Sequence, residues 1–245
     1  MLDKQQPIIA LDFASVQDTR HFLDKMPKQQ ALNLKIGMEL YYLAGPQFVK
    51  SLVDQGHQIF LDLKLHDIPN TVERSMRILA QLGIAMVNVH AAGGQEMMSA
   101  AKEGLLSADR QSQPLLIAVT QLTSTSREQL TTEQLINTSM EECVQHYAQL
   151  ALQSGLDGVV CSPQEAHLIK EITQSDFLTV TPGIRSQHNA SNDDQKRTLD
   201  IASAIRNQCD FLVIGRPITR SNDPAHVYQE AVELIHQTRK EMYHA

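Results

Sequence analysis

Leu61-Asp62-Leu63-Lys64-Leu65-His66-Asp67-Ile68-Pro69-Asn70-Thr71 reads as a strand that ends in charge and gives way to a helix. Ile59, Leu61, Leu63 and Leu65 occupy alternate positions, the period of a strand with one apolar face. Asp62 and Lys64 share the opposite face and point the same way. Charged side chains turn toward an interior only when they are paired or functional. Asp67 follows three positions later, where Pro69 breaks the strand and Asn70 favours a turn. Val72–Leu82 then carries apolar residues at helical spacing and ends at Gly83, just before the next apolar run. The stretch is one β-then-α unit with an acid–base–acid array at the exit of its strand.

The same unit repeats outward in both directions. Candidate strands are Ile8–Leu11, Leu32–Ile36, Gln58–Leu63, Met86–His90, Leu115–Val119, Gly158–Val160, Phe177–Thr181 and Phe211–Ile214. Between them lie amphipathic stretches at Val16–Met26, Gly45–Gln55, Val72–Leu82, Gln95–Leu106 and Met140–Gln153, several ending at a glycine such as Gly56, Gly83 or Gly155. No linker or composition shift divides them, so residues 1–245 read as a single domain, an α/β (β/α)₈ TIM barrel. A doubly wound open sheet is the alternative. The first turn, Asp12-Phe13-Ala14-Ser15, lacks the GxGxxG of dinucleotide-binding sheets, and eight strands suffice to close a barrel.

Composition narrows the setting. The 245 residues are 42% hydrophobic, with no apolar run long enough to span a bilayer, so no membrane partner is expected. Met1–Gln6 lacks the apolar stretch of a signal peptide. Cys143, Cys161 and Cys209 are odd in number and widely spaced, which fits unbridged thiols in the cytoplasm. A net charge of −7 argues against nucleic acid as a partner but not against an anionic small molecule met by local Lys and Arg.

In a (β/α)₈ barrel the chemistry collects where the strands end. Here those ends carry Asp12, Lys35, Asp62 with Lys64, His90, Thr123 with Ser124, Arg185, and Gly215 with Arg216. The runs Thr181-Pro182-Gly183-Ile184-Arg185 and Val213-Ile214-Gly215-Arg216-Pro217 follow the last two strands, the usual place for a phosphate grip. Glycine lets backbone N–H groups approach phosphate oxygens, and arginine binds them bidentately. One such run alone would pass for a turn and a solvated charge; two after adjacent strands favour phosphate. Residues 186–197 are polar without apolar period, a surface loop by composition and a lid by position, with Gln195 placed to reach the phosphate. His57, His66 and His90 have no ligand spacing, and Lys64 between Asp62 and Asp67 would repel a divalent cation, so no metal is expected. His66 and His90 read as structural, and no GxSxG or Cys–His arrangement supports acyl transfer.

These residues resemble the orotidine 5'-monophosphate decarboxylase family. The family hallmark D-x-K-x-x-D-I-P-N-T stands here without departure as Asp62 to Thr71. The resemblance extends from Ile8-Ile9-Ala10-Leu11-Asp12 through Leu34-Lys35-Ile36-Gly37, His90-Ala91-Ala92-Gly93-Gly94 and Leu122-Thr123-Ser124 to the two phosphate runs, nearly the whole chain. It implies a (β/α)₈ homodimer that converts orotidine 5'-monophosphate to UMP and CO₂, the last step of de novo pyrimidine synthesis, without metal or organic cofactor. It further implies a charged tetrad of Lys35, Asp62, Lys64 and Asp67, with Asp67, Ile68 and Thr71 supplied across the dimer interface. Asp12 and Lys35 would hold the ribose, Thr123 and Ser124 the pyrimidine, and Arg185, Gln195, Gly215 and Arg216 the phosphate, with Pro182 a further substrate-binding residue.

Two rivals remain at this level. A related barrel that works on sugar phosphates through a Mg²⁺-stabilised enediolate shares the Asp-x-Lys-x-x-Asp pattern, though the Ile68–Thr71 continuation and the Thr123-Ser124 pair favour the pyrimidine nucleotide. A non-catalytic phosphate-ligand binder would explain Arg185 and Arg216 but leave the Asp62–Lys64 array costly and without purpose.

Overall fold

The chain alternates strands and helices in one direction around a closed ring. In the computed structural model, which describes residues 2–28, 30–108, 113–185 and 198–244, the ring begins with β1 (Ile8–Ala10), β2 (Asn33–Gly37), β3 (Gln58–Leu65) and β4 (Met86–His90). It continues through β5 (Leu115–Val119), β6 (Gly158–Val160) and β7 (Leu178–Thr181). A two-residue pair, β8 (Ile184–Arg185) with β9 (Leu199–Asp200), stands apart, and β10 (Phe211–Ile214) closes the barrel between β7 and β1. All eight barrel pairings are parallel, so every strand points its C-terminal end to the same rim. The closed ring excludes the open sheet.

The helices are α1 (Val16–Asp24), α2 (Met38–Asp54), α3 (Pro69–Ala80), α4 (Gly94–Leu106), α5 (Met140–Gln153), α6 (Ala166–Ile172), α7 (Ile201–Arg206), α8 (Arg216–Thr219) and α9 (Pro224–His244). Gly56, Gly83 and Gly155 take φ of 91°, 78° and 77° just past their helices, the left-handed stop expected of them. α2 begins at Met38, earlier than its periodicity suggests. It breaks at Gly45 (φ 71°), and Pro46, which needs no N–H partner in a first turn, starts the second segment. Pro69 and Asn70 form no turn but open α3, again with proline in the first turn. α6, α7 and α8 are too short to show a period. α9 is long, and its buried Tyr228, Ala231, Ile235 and Thr238 recur at spacings of three and four that the sequence reading passed over.

Side-chain alternation divides the core in two. Ile9, Leu34, Ile36, Ile59, Leu61, Val87, Leu116 and Val159 point outward and pack under the helices. Ile8, Phe60, Met86, Ile117, Val180, Phe211 and Val213 fill the barrel axis. Each such buried apolar side chain contributes about 2 kcal/mol by its removal from water. Above that plug, the inward positions of β3 and β4 carry the polar residues Asp62 and Asn88.

The base of the barrel is held by ion pairs. Asp210 receives Lys4 Nζ on Oδ1 at 2.7 Å and Lys170 Nζ on Oδ2 at 2.7 Å, and its Oδ2 accepts the Thr179 N–H at 2.9 Å. Burial pushes the Asp210 carboxyl up, but the hydrogen bonds from Lys170, Lys4 and Thr179 outweigh it and hold the group below its usual range. A depressed carboxyl stabilises the fold above the unfolded-state value, near pH 4, and the contribution fades as pH falls through the folded-state value. Asp210→Asn is therefore expected to cost about 3 kcal/mol at pH 7, because it leaves the nearly buried Lys170 ammonium with carbonyl acceptors but without its carboxylate. Urea unfolding should show the gap from wild type narrowing below about pH 4; an unchanged midpoint at pH 7 would refute the clamp.

Candidate active site

β2 and β3 turn Lys35 and Asp62 into the barrel mouth: Lys35 pairs in register with Phe60, and the alternation that turns Phe60 inward places Asp62 two residues beyond it. Asp62 is 9% exposed and both its oxygens are engaged. Lys64 Nζ lies 2.7 Å from Oδ1, Lys35 Nζ lies 3.4 Å from Oδ2, and Lys35 reaches onward to Asp12 Oδ1 at 3.0 Å. The result is a continuous line, Asp12–Lys35–Asp62–Lys64, across three strand ends. Burial pushes the Asp62 carboxyl up, but the Lys35 and Lys64 ammonium groups and the hydrogen bonds from Lys64 and Asn88 bring it below the ordinary carboxylate range. Burial likewise disfavours charge on Lys35, yet Asp62 and Asp12 outweigh it and raise its pKa. The line is therefore ionised throughout its buried middle.

Strict alternation does not place Lys64. β3 runs on past Leu63 to Leu65, and its ladder with β4 slips: Leu61 pairs Val87 while Leu65 pairs Val89. Four steps of β3 thus face two of β4, a bulge centred on the charged residues. Lys64 adopts φ 51°, a left-handed conformation that a side chain with a Cβ disfavours by about 1–2 kcal/mol. Asn88, on the inner face of β4 and 0% exposed, fills the gap left by the ladder. Its Oδ1 accepts the Lys64 backbone N–H at 2.7 Å and its Nδ2 donates to Asp62 Oδ1 at 2.7 Å. The sequence reading missed Asn88, although an asparagine on the inner face of an otherwise apolar strand is the same signal that marks Asp62.

The remaining expected site residues fall into three groups. Asp67, Ile68 and Thr71 sit on an exposed edge, Ile68 at 66%. Asp67 Oδ1 accepts the Ile68 N–H at 2.7 Å, and the carboxylate does not pair with Lys64 of its own chain. Thr123 and Ser124 occupy the turn after β5, closed by the Thr125 N–H on the Leu122 carbonyl at 2.9 Å. On the far side of the mouth, Pro182 follows β7 and the Arg185 backbone pairs with Asp200. Gly215 caps α8 ahead of Arg216, and a Cβ there would lie 3.4 Å from Ala10 Cβ and 4.0 Å from Asp12 Oδ2, in ordinary van der Waals contact beside the Asp12 end of the charged line. Gln195 and the rest of residues 186–197 lie outside the described residues.

His66 and His90 stack at 5.8 Å between ring centroids beside Lys64. Burial, then His66, then Lys64 push the His90 imidazole below its usual range, so it stands neutral at pH 7. Among the described residues no cluster of three or more His, Cys, Asp or Glu is arranged to hold a metal ion. No helix among them is long and apolar enough to cross a membrane.

Fold and site together define a (β/α)₈ barrel enzyme with a buried, alternating line of charge at the C-terminal mouth. The family model for the orotidine 5'-phosphate decarboxylase / HUMPS family matches residues 5–231, and the chain belongs to that family. It is 54% identical over 227 residues to the orotidine 5'-phosphate decarboxylase of Streptococcus suis, covering 93% of this chain and 96% of that one. The Streptococcus thermophilus protein of the same name is 53% identical over 227 residues, with the same coverage. Among solved structures, the orotidine 5'-phosphate decarboxylase of Lactobacillus acidophilus superposes with a TM-score of 0.84 at 40% identity, over 94% of this chain and 99% of that one. A conserved protein from Geobacillus kaustophilus superposes at 0.83 with 46% identity, over 93% and 99%.

Proposed function

We propose that this chain releases CO₂ from orotidine 5'-monophosphate to leave UMP, closing de novo pyrimidine-nucleotide synthesis, as a single-domain cytoplasmic enzyme that needs no metal or organic cofactor. The observation that carries the reading is the continuous ion-paired line Asp12–Lys35–Asp62–Lys64 in the mouth of a barrel of this family. When the bond to the carboxylate breaks, its electron pair stays on the ring carbon in an orbital that the pyrimidine π-system cannot absorb. A fixed positive charge beside that carbon lowers the barrier, because it stands in place before the negative charge develops. Lys64 is that charge, and its ammonium then gives the carbon a proton and is reprotonated from solvent.

Asp62 has both oxygens occupied by ammonium groups, which fixes where Lys64 points; in the bound complex this carboxylate would lie near the departing group. Asp12 and Lys35 would take the ribose hydroxyls, and Thr123 and Ser124 the pyrimidine. Arg185, Gln195, Gly215 and Arg216 would grip the phosphate, with Pro182 a further substrate contact, and energy from that remote contact orders the reacting end.

The active unit in this reading is a homodimer with shared sites. Two observations support it. Asp67 is exposed and unpaired with its own Lys64, free to serve a neighbour. Tyr42 (73% exposed), Leu43, Ile68, Ile78 and Leu106 present apolar surface on and around the consecutive helices α2, α3 and α4, as an interface requires. A decarboxylation assay with excess chelator tests the reaction: the fall in pyrimidine absorbance should proceed at the untreated rate. Silence with this substrate, or turnover only after Mg²⁺ is added, would replace the reading with the sugar-phosphate alternative.

A further inference from the structure

We infer that Asn88 is a positioning residue of the reaction: its one side chain locks the Asp62 carboxylate to the left-handed Lys64 backbone and so fixes the height and aim of the Lys64 ammonium. The inference rests on the proposed decarboxylation and adds to it a residue outside the charged line. Lys64 lies in a bulge where β3 has lost its ladder partner on β4, so the main chain of β4 does not hold it. Left to itself, a lysine at φ 51° would relax toward the extended region and carry its ammonium with it. The Asn88 Oδ1 prevents this by accepting the Lys64 N–H at 2.7 Å, while the Nδ2 of the same amide donates to Asp62 Oδ1 at 2.7 Å. That Oδ1 is the oxygen that receives Lys64 Nζ, also at 2.7 Å. Backbone N–H, asparagine amide, carboxylate and ammonium thus close a ring in which each member restrains the next. Because Asn88 is fully buried and flanked along β4 by Val87 and Val89, its amide cannot turn away to water.

Asparagine is suited to this place by its chemistry. One planar group offers an acceptor and a donor in fixed relation, and it adds no charge beside Asp62. Leucine has nearly the same shape and neither function. Asn88→Leu, and Asn88→Ala as a second variant that adds no bulk, are each expected to lower kcat about 100-fold, the cost of misplacing a catalytic group by about 1 Å. KM, and the affinity for UMP measured by titration, should stay within about twofold, because neither variant touches the ribose or phosphate contacts. A role confined to stability would lower the unfolding temperature and leave kcat alone, so the split between kcat and KM separates the two. A kcat within about threefold of wild type in either folded variant overturns the positioning role. Wild-type protein in the same assay keeps the readings apart: turnover by wild type with unaffected variants overturns only the role of Asn88, whereas a wild type without turnover overturns the decarboxylation and this role together.

Discussion

Lys64→Ala should reduce kcat by roughly 10,000-fold or more, since in the proposed reaction it removes both the preformed positive charge and the proton donor, and each alone commonly contributes 100-fold or more. The barrel should survive the change. Asp62 keeps Lys35 at 3.4 Å and the Asn88 amide at 2.7 Å, so its buried carboxylate is not left unpaired. Alanine has a Cβ like lysine, so the strain at φ 51° is carried over rather than increased. Circular dichroism and thermal unfolding would confirm the fold while steady-state assays measure the loss. Activity within tenfold of wild type would remove Lys64 from the centre of the mechanism.

Mixing Lys64→Ala subunits with Asp67→Ala subunits, each inactive alone, should restore about a quarter of the normal number of working sites. In the proposed homodimer, free exchange makes half of the dimers mixed, and each mixed dimer holds one site with both residues intact and one with neither. The expected recovery depends on Asp67 serving the neighbouring chain, as suggested by its exposed position and its turn toward the Ile68 N–H instead of Lys64. Native mass spectrometry can verify that subunits have exchanged. No recovery after verified exchange would place Asp67 in its own chain's site.

Most of the barrel was legible because its strands carry their own period. Met86–His90, Leu115–Val119, Gly158–Val160 and Phe211–Ile214 fall where the apolar runs place them. Asp62 stood out because a charge on the inner face of a strand is conspicuous whatever surrounds it. The bulge at Lys64 was not legible, since register belongs to two strands at once and the β3 sequence reads as unbroken alternation. Asn88 was hidden for a related reason. Asn33 is also a buried asparagine on an inner strand face, but its Nδ2 donates to the Asp3 and Gln6 carbonyls at 2.8 and 3.3 Å and ties down the N-terminal segment at the base. Only the height of each residue along the barrel axis separates the asparagine at the base from the one beside the charged line, and that height is a property of the closed ladder.

The two-level filling of the barrel has an evolutionary consequence. Phe60 belongs to the apolar plug and Asp62, two residues on, to the charged line, yet no side chain is shared between the two layers. Mutations that repack Phe60, Met86, Ile117 or Phe211 can tune heat tolerance to a new habitat while Asp62 and Lys64 stay untouched. A lineage can thus drift in its lower half and remain fixed in its upper half, along the same strands.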